Sequence, residues 1–265
     1  MNQDESSWFR RLNRVRDLTV LEVNQSEMLV VACDSDGGIG SKPLDVVQID
    51  PFTLGMFAVR VPLLELIASG ARPFLVIDCL AVEMEPYGKE ILAGIKAYSQ
   101  KAGLVKDEQF TGTSEENIPT QQTALGVTVL GVVPRDQFRP GQSQTGDLIL
   151  CAGLPKCGPH DEVRMDDEEI ISIEVLQELA SLPVVHDLLP VGSKGIQFEA
   201  EQLAASAQLT YLPAESIEID VKKSAGPATC AVFSMAAQDL PTLRQRYQLP
   251  IHVVGQLSNV TVNKI

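Results

Sequence analysis

A long apolar segment with strong helix signals at both ends constrains the fold of this chain most. Asp50-Pro51 combines a favoured N-cap residue with a favoured first helical residue, and Gly70 is a typical helix stop. Arg60 and Glu65 interrupt the segment, which argues against a membrane span. We therefore predict a core helix of a globular domain. Its apolar residues recur at helical spacing: Leu54, Phe57, Ala58, Val61, Leu64, Ile67 and Ala68.

Apolar segments rich in β-branched residues lie on both sides of this helix and predict strands. Residues 27–33 (EMLVVAC) precede it, and residues 73–84 (PFLVIDCLAVEM) follow it. Residues 123–133 (TALGVTVLGVV) come after a second predicted helix, 86–102, which Gly103 closes. The order of strand, helix, strand, helix, strand predicts an α/β first half.

The second half repeats this alternation after a polar segment. Residues 134–147 (PRDQFRPGQSQTGD) have the composition of a linker, so we place a domain boundary between 135 and 136. We predict a two-domain α/β (α+β) chain with an N-terminal ATP- and metal-binding domain, 1–135, and a C-terminal α/β domain, 136–265. Predicted strands of the second domain are 148–154, 215–223, 228–236 and 250–257, and predicted helices are 165–182, 195–209 and 240–249.

Composition excludes several partners. The 21 Lys and Arg residues against 35 Asp and Glu give a formal charge of −14, so the chain has no electrostatic footprint for nucleic acid or an anionic membrane. The five cysteines are dispersed without CxxC spacing, which is typical of free thiols in a reducing compartment. The N-terminal segment (MNQDESSWFRRLNRVRDLTVLEV) lacks the apolar stretch of a signal peptide. We expect a cytoplasmic protein.

The segment 30–45 (VVACDSDGGIGSKPLD) places glycines, aspartates and one lysine directly after a predicted strand. It is not a P-loop, because Pro43 follows Lys42 where that pattern needs Ser or Thr, and GxGxxG is also absent. A surface turn would explain the composition. Against that, a carboxylate such as Asp34 at the end of a buried strand needs a pairing partner or a metal ion.

A nucleotide bound through Mg²⁺ fits the segment better than a surface turn. Mg²⁺ prefers carboxylate and phosphate oxygens and lets acidic residues hold a triphosphate. Glycine amides can approach phosphates closely. Three further acids are candidates for the same site: Glu65 in the core helix, and Glu115 and Glu116 in FTGTSEENIPT, which we expect to be a polar loop. The alternative for each is an ordinary solvated side chain.

These motifs, in this order, resemble the aminoimidazole ribonucleotide synthetase-related superfamily, which includes thiamine-monophosphate kinase. ELIASGARP takes the place of the family motif Asp-Leu-Ala-Ala-Met-Gly-Ala-x-Pro, so Glu65 stands where the family commonly has a metal-binding aspartate. Pro62 stands at the family's asparagine position. TGTSEENIP resembles the Gly-Gly-(Asp/Glu)-Thr loop, with the acid shifted to Glu115 or Glu116, and GDLILCAGLPKCG resembles the start of the family's C-terminal domain.

Within the superfamily, DSDGGIGSKPLDVV and TGTSEENIPTQQTALGVTV look most like the alpha-ribazole kinases of cobalamin salvage. The resemblance implies transfer of the ATP γ-phosphate to the 5′-hydroxyl of alpha-ribazole. It also implies a homodimer in which the N-terminal sheets of two subunits pair, with the active site in a cleft near the dimer interface.

We assign hypothetical roles from the chemistry and the resemblance together. Lys42 offsets charge on the transferred group, and Asp36 binds metal or orients the nucleophilic hydroxyl. Asp45 is essential for turnover but not for folding, so Asp45→Asn is predicted to lose activity and stay folded. The metal ligands are Asp34, Asp45 and Glu65, with Glu115 or Glu116, and the glycines whose amides close over ATP are Gly37, Gly38 and Gly40.

Three functions remain open from the sequence. The first is an alpha-ribazole kinase. The second is another ATP-using member of the superfamily, such as thiamine-monophosphate kinase. The third is a non-catalytic nucleotide-binding or scaffold protein that kept the fold.

Overall fold

The computed structural model describes residues 11–259. Residues 1–10, part of the N-terminal segment considered above for a leader, lie outside the described residues. The described chain forms two compact units that divide between Phe138 and Arg139. Both are mixed α/β, as the sequence predicted.

The first unit is a six-stranded sheet with two long helices. Its strand order is β1-β2-β3-β8-β6-β7, and neighbouring strands are antiparallel except for β6 and β7, which are parallel. A short parallel pair, β4 and β5, lies outside this sheet. The elements are β1 Leu12–Val15, β2 Leu18–Glu22, β3 Glu27–Gly37, β4 Ile39–Gly40, β5 Val47–Gln48, α1 Pro51–Ala68, β6 Arg72–Leu80, α2 Lys89–Ser99, β7 Phe110–Ser114 and β8 Ala124–Pro134.

Helix α1 confirms the opening prediction. The Asp50 side chain accepts a hydrogen bond from the Thr53 amide at 2.9 Å, Pro51 is the first helical residue, and Gly70 turns the chain with a φ of 88°. By length and hydropathy α1 resembles a membrane span, but most of it is buried inside the protein. Its apolar character is that of a core helix.

Strand β8 shows how the sheet divides into two faces. Leu125, Val127, Val129 and Val133 are buried and alternate with half-buried residues along the strand. Helix α1 packs against β3, β8 and β6, so we call the buried side the inner face. The other side is the outer face.

The second unit is a five-stranded antiparallel sheet, ordered β10-β12-β9-β13-β11. Its core includes Ile149, Val232 and Val254 from the sheet and Ile196 and Leu203 from a helix. The elements are β9 Leu148–Ala152, α3 Ile173–Ser181, β10 Val185–Pro190, α4 Gly195–Ser206, β11 Thr210–Pro213, β12 Ala231–Met235, α5 Leu240–Arg246 and β13 Ile251–Ser258.

Three local predictions were wrong. Residues 215–223 form no strand. Helix α3 begins after its N-cap Ser172, whose side chain accepts from the Val175 amide, instead of in the acidic stretch from residue 165. The expected polar loop 110–120 begins as strand β7, which pairs with β6.

Candidate functional site

Three loops meet at one edge of the first sheet. Strands β3 and β6 are both antiparallel to β8, and β7 is parallel to β6, so β3, β6 and β7 all point the same way. The segments that follow them, 38–50, 81–88 and 115–123, therefore leave from the same edge. This edge gathers all but one of the residues that the sequence assigned to ATP and metal binding.

The predicted glycines differ in their surroundings. Gly37 has nothing within 4 Å of the position where a Cβ would be. A Cβ on Gly38, whose φ is 73°, would meet Gln122 at 2.9 Å, and one on Gly40 would meet the Thr123 hydroxyl at 2.4 Å. Gly38 is therefore required by its left-handed backbone and Gly40 by its packing, whereas a Cβ at Gly37 would enter open space on the outer face of β3.

Asp45 holds the glycine loop against the segment that precedes β8. It is buried, and its Oδ2 accepts hydrogen bonds from the Lys42 amide at 2.8 Å and the Thr123 hydroxyl at 2.7 Å. Its Oδ1 accepts from the Thr123 amide at 2.7 Å. Because three protein donors already contact this carboxylate, the geometry favours a positioning role for Asp45 over direct metal binding.

Lys42 is likewise used inside the protein. Its Nζ lies 2.5 Å from the Glu83 carboxylate, donates to the Thr120 carbonyl at 3.0 Å, and lies 4.2 Å from the centre of the Tyr87 ring. Glu83 also accepts from the Thr120 amide at 3.0 Å. The hydrogen bond from Lys42 is the main reason that the pKa of Glu83 is lowered to about 2. These contacts join all three loops.

Asp34 and Asp36 lie on the inner face of β3, in line with buried Val30 and Ala32. Both are half-buried. Burial raises the pKa of Asp34. Burial, with a smaller contribution from the charge of Asp34, raises the pKa of Asp36 to about 6. Two carboxylates whose ionised forms are destabilised in this way are well suited to bind a divalent cation.

Glu65 lies at the other end of the sheet. It is near the C-terminal end of α1, and the chain reverses at Gly70 to enter β6 at Arg72. The loop edge lies beyond Leu80, the end of β6, which is roughly 25 Å of extended chain from Arg72. The structure therefore does not bring Glu65 to the other predicted ligands within one chain.

Glu115 and Glu116 both lie at the loop edge, where their side chains contact backbone amides. Glu115 Oε1 accepts from the Asn117 amide at 2.6 Å and the Ile118 amide at 3.2 Å. Glu116 Oε1 accepts from the Met84 amide at 3.0 Å and the Ser114 hydroxyl at 2.7 Å. Glu115 therefore stabilises its own loop, whereas Glu116 also joins that loop to the segment after β6.

Across residues 11–259, no three His, Cys, Asp or Glu side chains cluster closely enough to hold a metal ion. The five predicted ligands are therefore not a single preformed cluster, because Asp45, Glu115 and Glu116 contact protein donors and Glu65 lies elsewhere. Asp34 and Asp36 are the pair whose donor atoms and burial best fit Mg²⁺, which prefers carboxylate oxygens.

Sequence reasoning missed Glu83, Thr123 and Asp78. Asp78 is buried on the inner face of β6, and its carboxylate lies over Gly112, where an added Cβ would be 2.3 Å from its Cγ. Burial raises the pKa of Asp78 to about 6. A single acid within the apolar strand FLVIDCL is the signal that would have identified Asp78, whereas Glu83 and Thr123 have no comparable signal.

Comparisons with known proteins agree on the first unit. Residues 15–133 match the sequence profile of AIR synthase related protein, N-terminal domain. Phosphoribosylformylglycinamidine cyclo-ligase from Methanosarcina barkeri (strain Fusaro / DSM 804) is 30% identical over 135 residues. That alignment covers 46% of this chain and 37% of the relative, so the chain spans well under half of the relative's length.

Similar solved structures extend over both units. Thiamine-monophosphate kinase from Stenotrophomonas maltophilia K279a has a TM-score of 0.64 at 18% identity, covering 95% of this chain and 90% of that chain. Thermotoga maritima PurL complexed with ATP has a TM-score of 0.64 at 16% identity, covering 96% of this chain and 45% of that chain. AaThiL complexed with AMPPCP and TMP has a TM-score of 0.61 at 13% identity, covering 94% and 87%. At these identities the likeness establishes the fold.

Proposed function

We propose that this chain, in which residues 15–133 form an AIR synthase-related N-terminal domain, is an ATP-dependent small-molecule kinase. The observation that carries the proposal is the half-buried pair Asp34 and Asp36 on the inner face of β3, at the edge where three loops meet. The fold shared with a thiamine-monophosphate kinase and with an ATP complex of PurL supports it.

In this proposal residues 1–135 are the ATP- and metal-binding domain, and 136–265 are the C-terminal α/β domain. Asp34 would hold Mg²⁺, which when bound neutralises phosphate charge, and Asp36 is left to act on the acceptor. Gly37, the last residue of β3, is the predicted ATP-binding glycine whose surroundings leave room for a larger group. Lys42 and Asp45 fix the loop that follows Gly37. Such positioning is the main demand that phosphoryl transfer makes on a protein.

We further propose that the acceptor is the 5′-hydroxyl of alpha-ribazole, as the sequence resemblance implies. The hydroxyl oxygen bonds to the γ-phosphorus while the bond from that phosphorus to the ADP oxygen breaks, and Asp36 orients the hydroxyl and takes its proton. With a pKa of about 6, Asp36 is mostly ionised at neutral pH and can accept a proton.

The working form in this proposal is a cytoplasmic homodimer that pairs the outer faces of the two N-terminal sheets. Half-buried apolar residues of three neighbouring strands, Val31, Leu130 and Leu75, lie side by side on that face.

A panel of acceptors tests the function. Purified protein with Mg²⁺ and ATP is incubated separately with alpha-ribazole and thiamine monophosphate, and ADP formation and phosphorylated product are measured. Transfer to alpha-ribazole alone supports the proposal. Transfer to thiamine monophosphate alone would show that thiamine monophosphate, and not alpha-ribazole, is the acceptor. Mg²⁺-dependent ATP binding without transfer to either would assign a nucleotide-binding scaffold instead.

A further inference from the structure

Three exposed aliphatic side chains lie at the loop edge of the first sheet. Leu44 is 63% exposed, Val46 is 79% exposed and Ile118 is 65% exposed. We propose that they form a subsite, the aliphatic subsite, that binds the apolar ring of an uncharged acceptor alcohol. The inference rests on the proposed kinase function and specifies which class of acceptor the site takes.

Hydrogen bonds to neighbouring residues of the three loops fix the backbone at Leu44 and Val46. The Leu44 amide donates to the Gln121 carbonyl at 3.1 Å, and Gln122 Nε2 donates to the Leu44 carbonyl at 2.9 Å. The Val46 amide donates to the Gly38 carbonyl at 2.7 Å. Together with the buried contacts of Lys42 and Asp45, these bonds keep the aliphatic side chains in water instead of letting the loops fold over them. A preorganised apolar surface favours ligand binding because little ordering remains to be done.

The charges at this edge favour an uncharged acceptor. Lys42 is the one Lys or Arg in the sequence segments 37–50, 81–88 and 115–123, and its ammonium is paired with Glu83. The acids Glu115 and Glu116 lie on the same loop as Ile118. A phosphate monoester on the acceptor would therefore meet carboxylates without a free cation from these loops.

The size of the aliphatic subsite favours a small molecule over a protein partner. Three side chains are far fewer than the roughly 20–30 residues a side that a stable protein interface uses. They match a one- or two-ring group, whose burial against aliphatic carbons is favourable. Gly37 ends β3 directly before the loop that carries Leu44 and Val46, so the proposed ATP site adjoins the aliphatic subsite.

The test compares a variant of the aliphatic subsite with a matched control. Leu44→Ser/Ile118→Ser removes apolar side chains that are not part of the core. Val105→Ser removes a similarly exposed side chain that lies before the first residue of β7, at the end of the strand away from the three loops. For a neutral benzimidazole riboside as acceptor, we expect the KM to rise at least about tenfold in the double variant. The KM for ATP and the thermal midpoint should match those of Val105→Ser. An unchanged acceptor KM, or an equal rise in the control, overturns the aliphatic subsite.

Binding measurements separate this inference from the kinase proposal. If no phosphate is transferred, calorimetry with the riboside and with its 5′-monophosphate still tests the aliphatic subsite. We expect the riboside to bind more tightly than the monophosphate and to bind more weakly to the double variant. Preference for the monophosphate, binding of neither probe, or a change in oligomeric state without a change in riboside affinity overturns it.

Discussion

The ammonium of Lys42 lies 2.5 Å from the Glu83 carboxylate, with Lys42 only 2% exposed. The pair links the glycine loop to the segment after β6, and Thr120 links both to the segment before β8. A lysine beside glycines suggests direct phosphate binding, but here its charge stabilises the loop structure.

A double-mutant cycle distinguishes the two roles of Lys42. Glu83→Gln leaves a buried ammonium without its carboxylate, whereas Lys42→Met/Glu83→Gln removes both charges. We therefore expect the double variant to be more stable than Glu83→Gln alone, as measured by urea denaturation. The exposed pair Lys89 and Glu85 is the control, in which the corresponding substitutions should be nearly additive.

The same pair predicts an acid response. Because the pKa of Glu83 is lowered from 4.5 to about 2 in the folded protein, its contribution to stability is complete above about pH 4.5. That contribution is lost as the pH falls towards 2. If Glu83→Gln and the unchanged protein differed in stability by the same amount at pH 7 and pH 2, the ion pair would not be the cause.

Alanine substitutions at Gly37 and Gly40 are predicted to have different effects on stability. Gly37→Ala should keep the free energy of unfolding within about 0.5 kcal/mol, because its Cβ enters open space, but should raise the KM for ATP. Gly40→Ala should lose about 2 kcal/mol or more, because its Cβ would be 2.4 Å from the Thr123 hydroxyl and 2.7 Å from Asp45 Oδ2. Denaturation and initial-rate kinetics measure both. Equal stability losses would mean that Gly37 is also a packing glycine.

The sequence predicted what depends on local signals. Asp50, Pro51 and Gly70 define α1 through capping and backbone geometry, both of which act within a few residues. The superfamily resemblance was confirmed by the match over residues 15–133. Alpha-ribazole specificity and the site roles stay predictions.

Features that depend on tertiary pairing were not predictable from the sequence. Glu83 is 41 residues from Lys42, and Thr123 is 78 residues from Asp45. Nothing in the local sequence marks either contact. Glu65 is a case in which a local motif misled. Its motif position suggested that it binds metal together with the other predicted ligands, but α1 and β6 run in opposite directions, which places Glu65 away from the loop edge.

Asp78 predicts how stability changes with pH in the neutral range. Burial raises its pKa from 3.8 to about 6, so the folded state binds more protons than the unfolded state between these values. Stability from this group is therefore greatest below pH 3.8 and falls as the pH rises through 6. Asp78→Asn should be more stable than the unchanged protein at pH 8, by about 2 kcal/mol, and the difference should shrink at pH 4. The exposed Asp136→Asn is the control, and a benefit that does not depend on pH would contradict the assignment.

The outer face of the first sheet predicts the effect of a charge on assembly. Leu130 lies on the central strand β8, directly between Val31 of β3 and Leu75 of β6. If this face pairs with a second copy, Leu130→Lys places two ammonium groups, one from each subunit, in the desolvated interface. We expect the dimer to dissociate to monomers in sedimentation equilibrium, while far-ultraviolet circular dichroism stays unchanged. Val23→Lys, on an exposed loop residue between β2 and β3, should leave the dimer intact. A dimer that persists in Leu130→Lys would place the subunit interface on another surface.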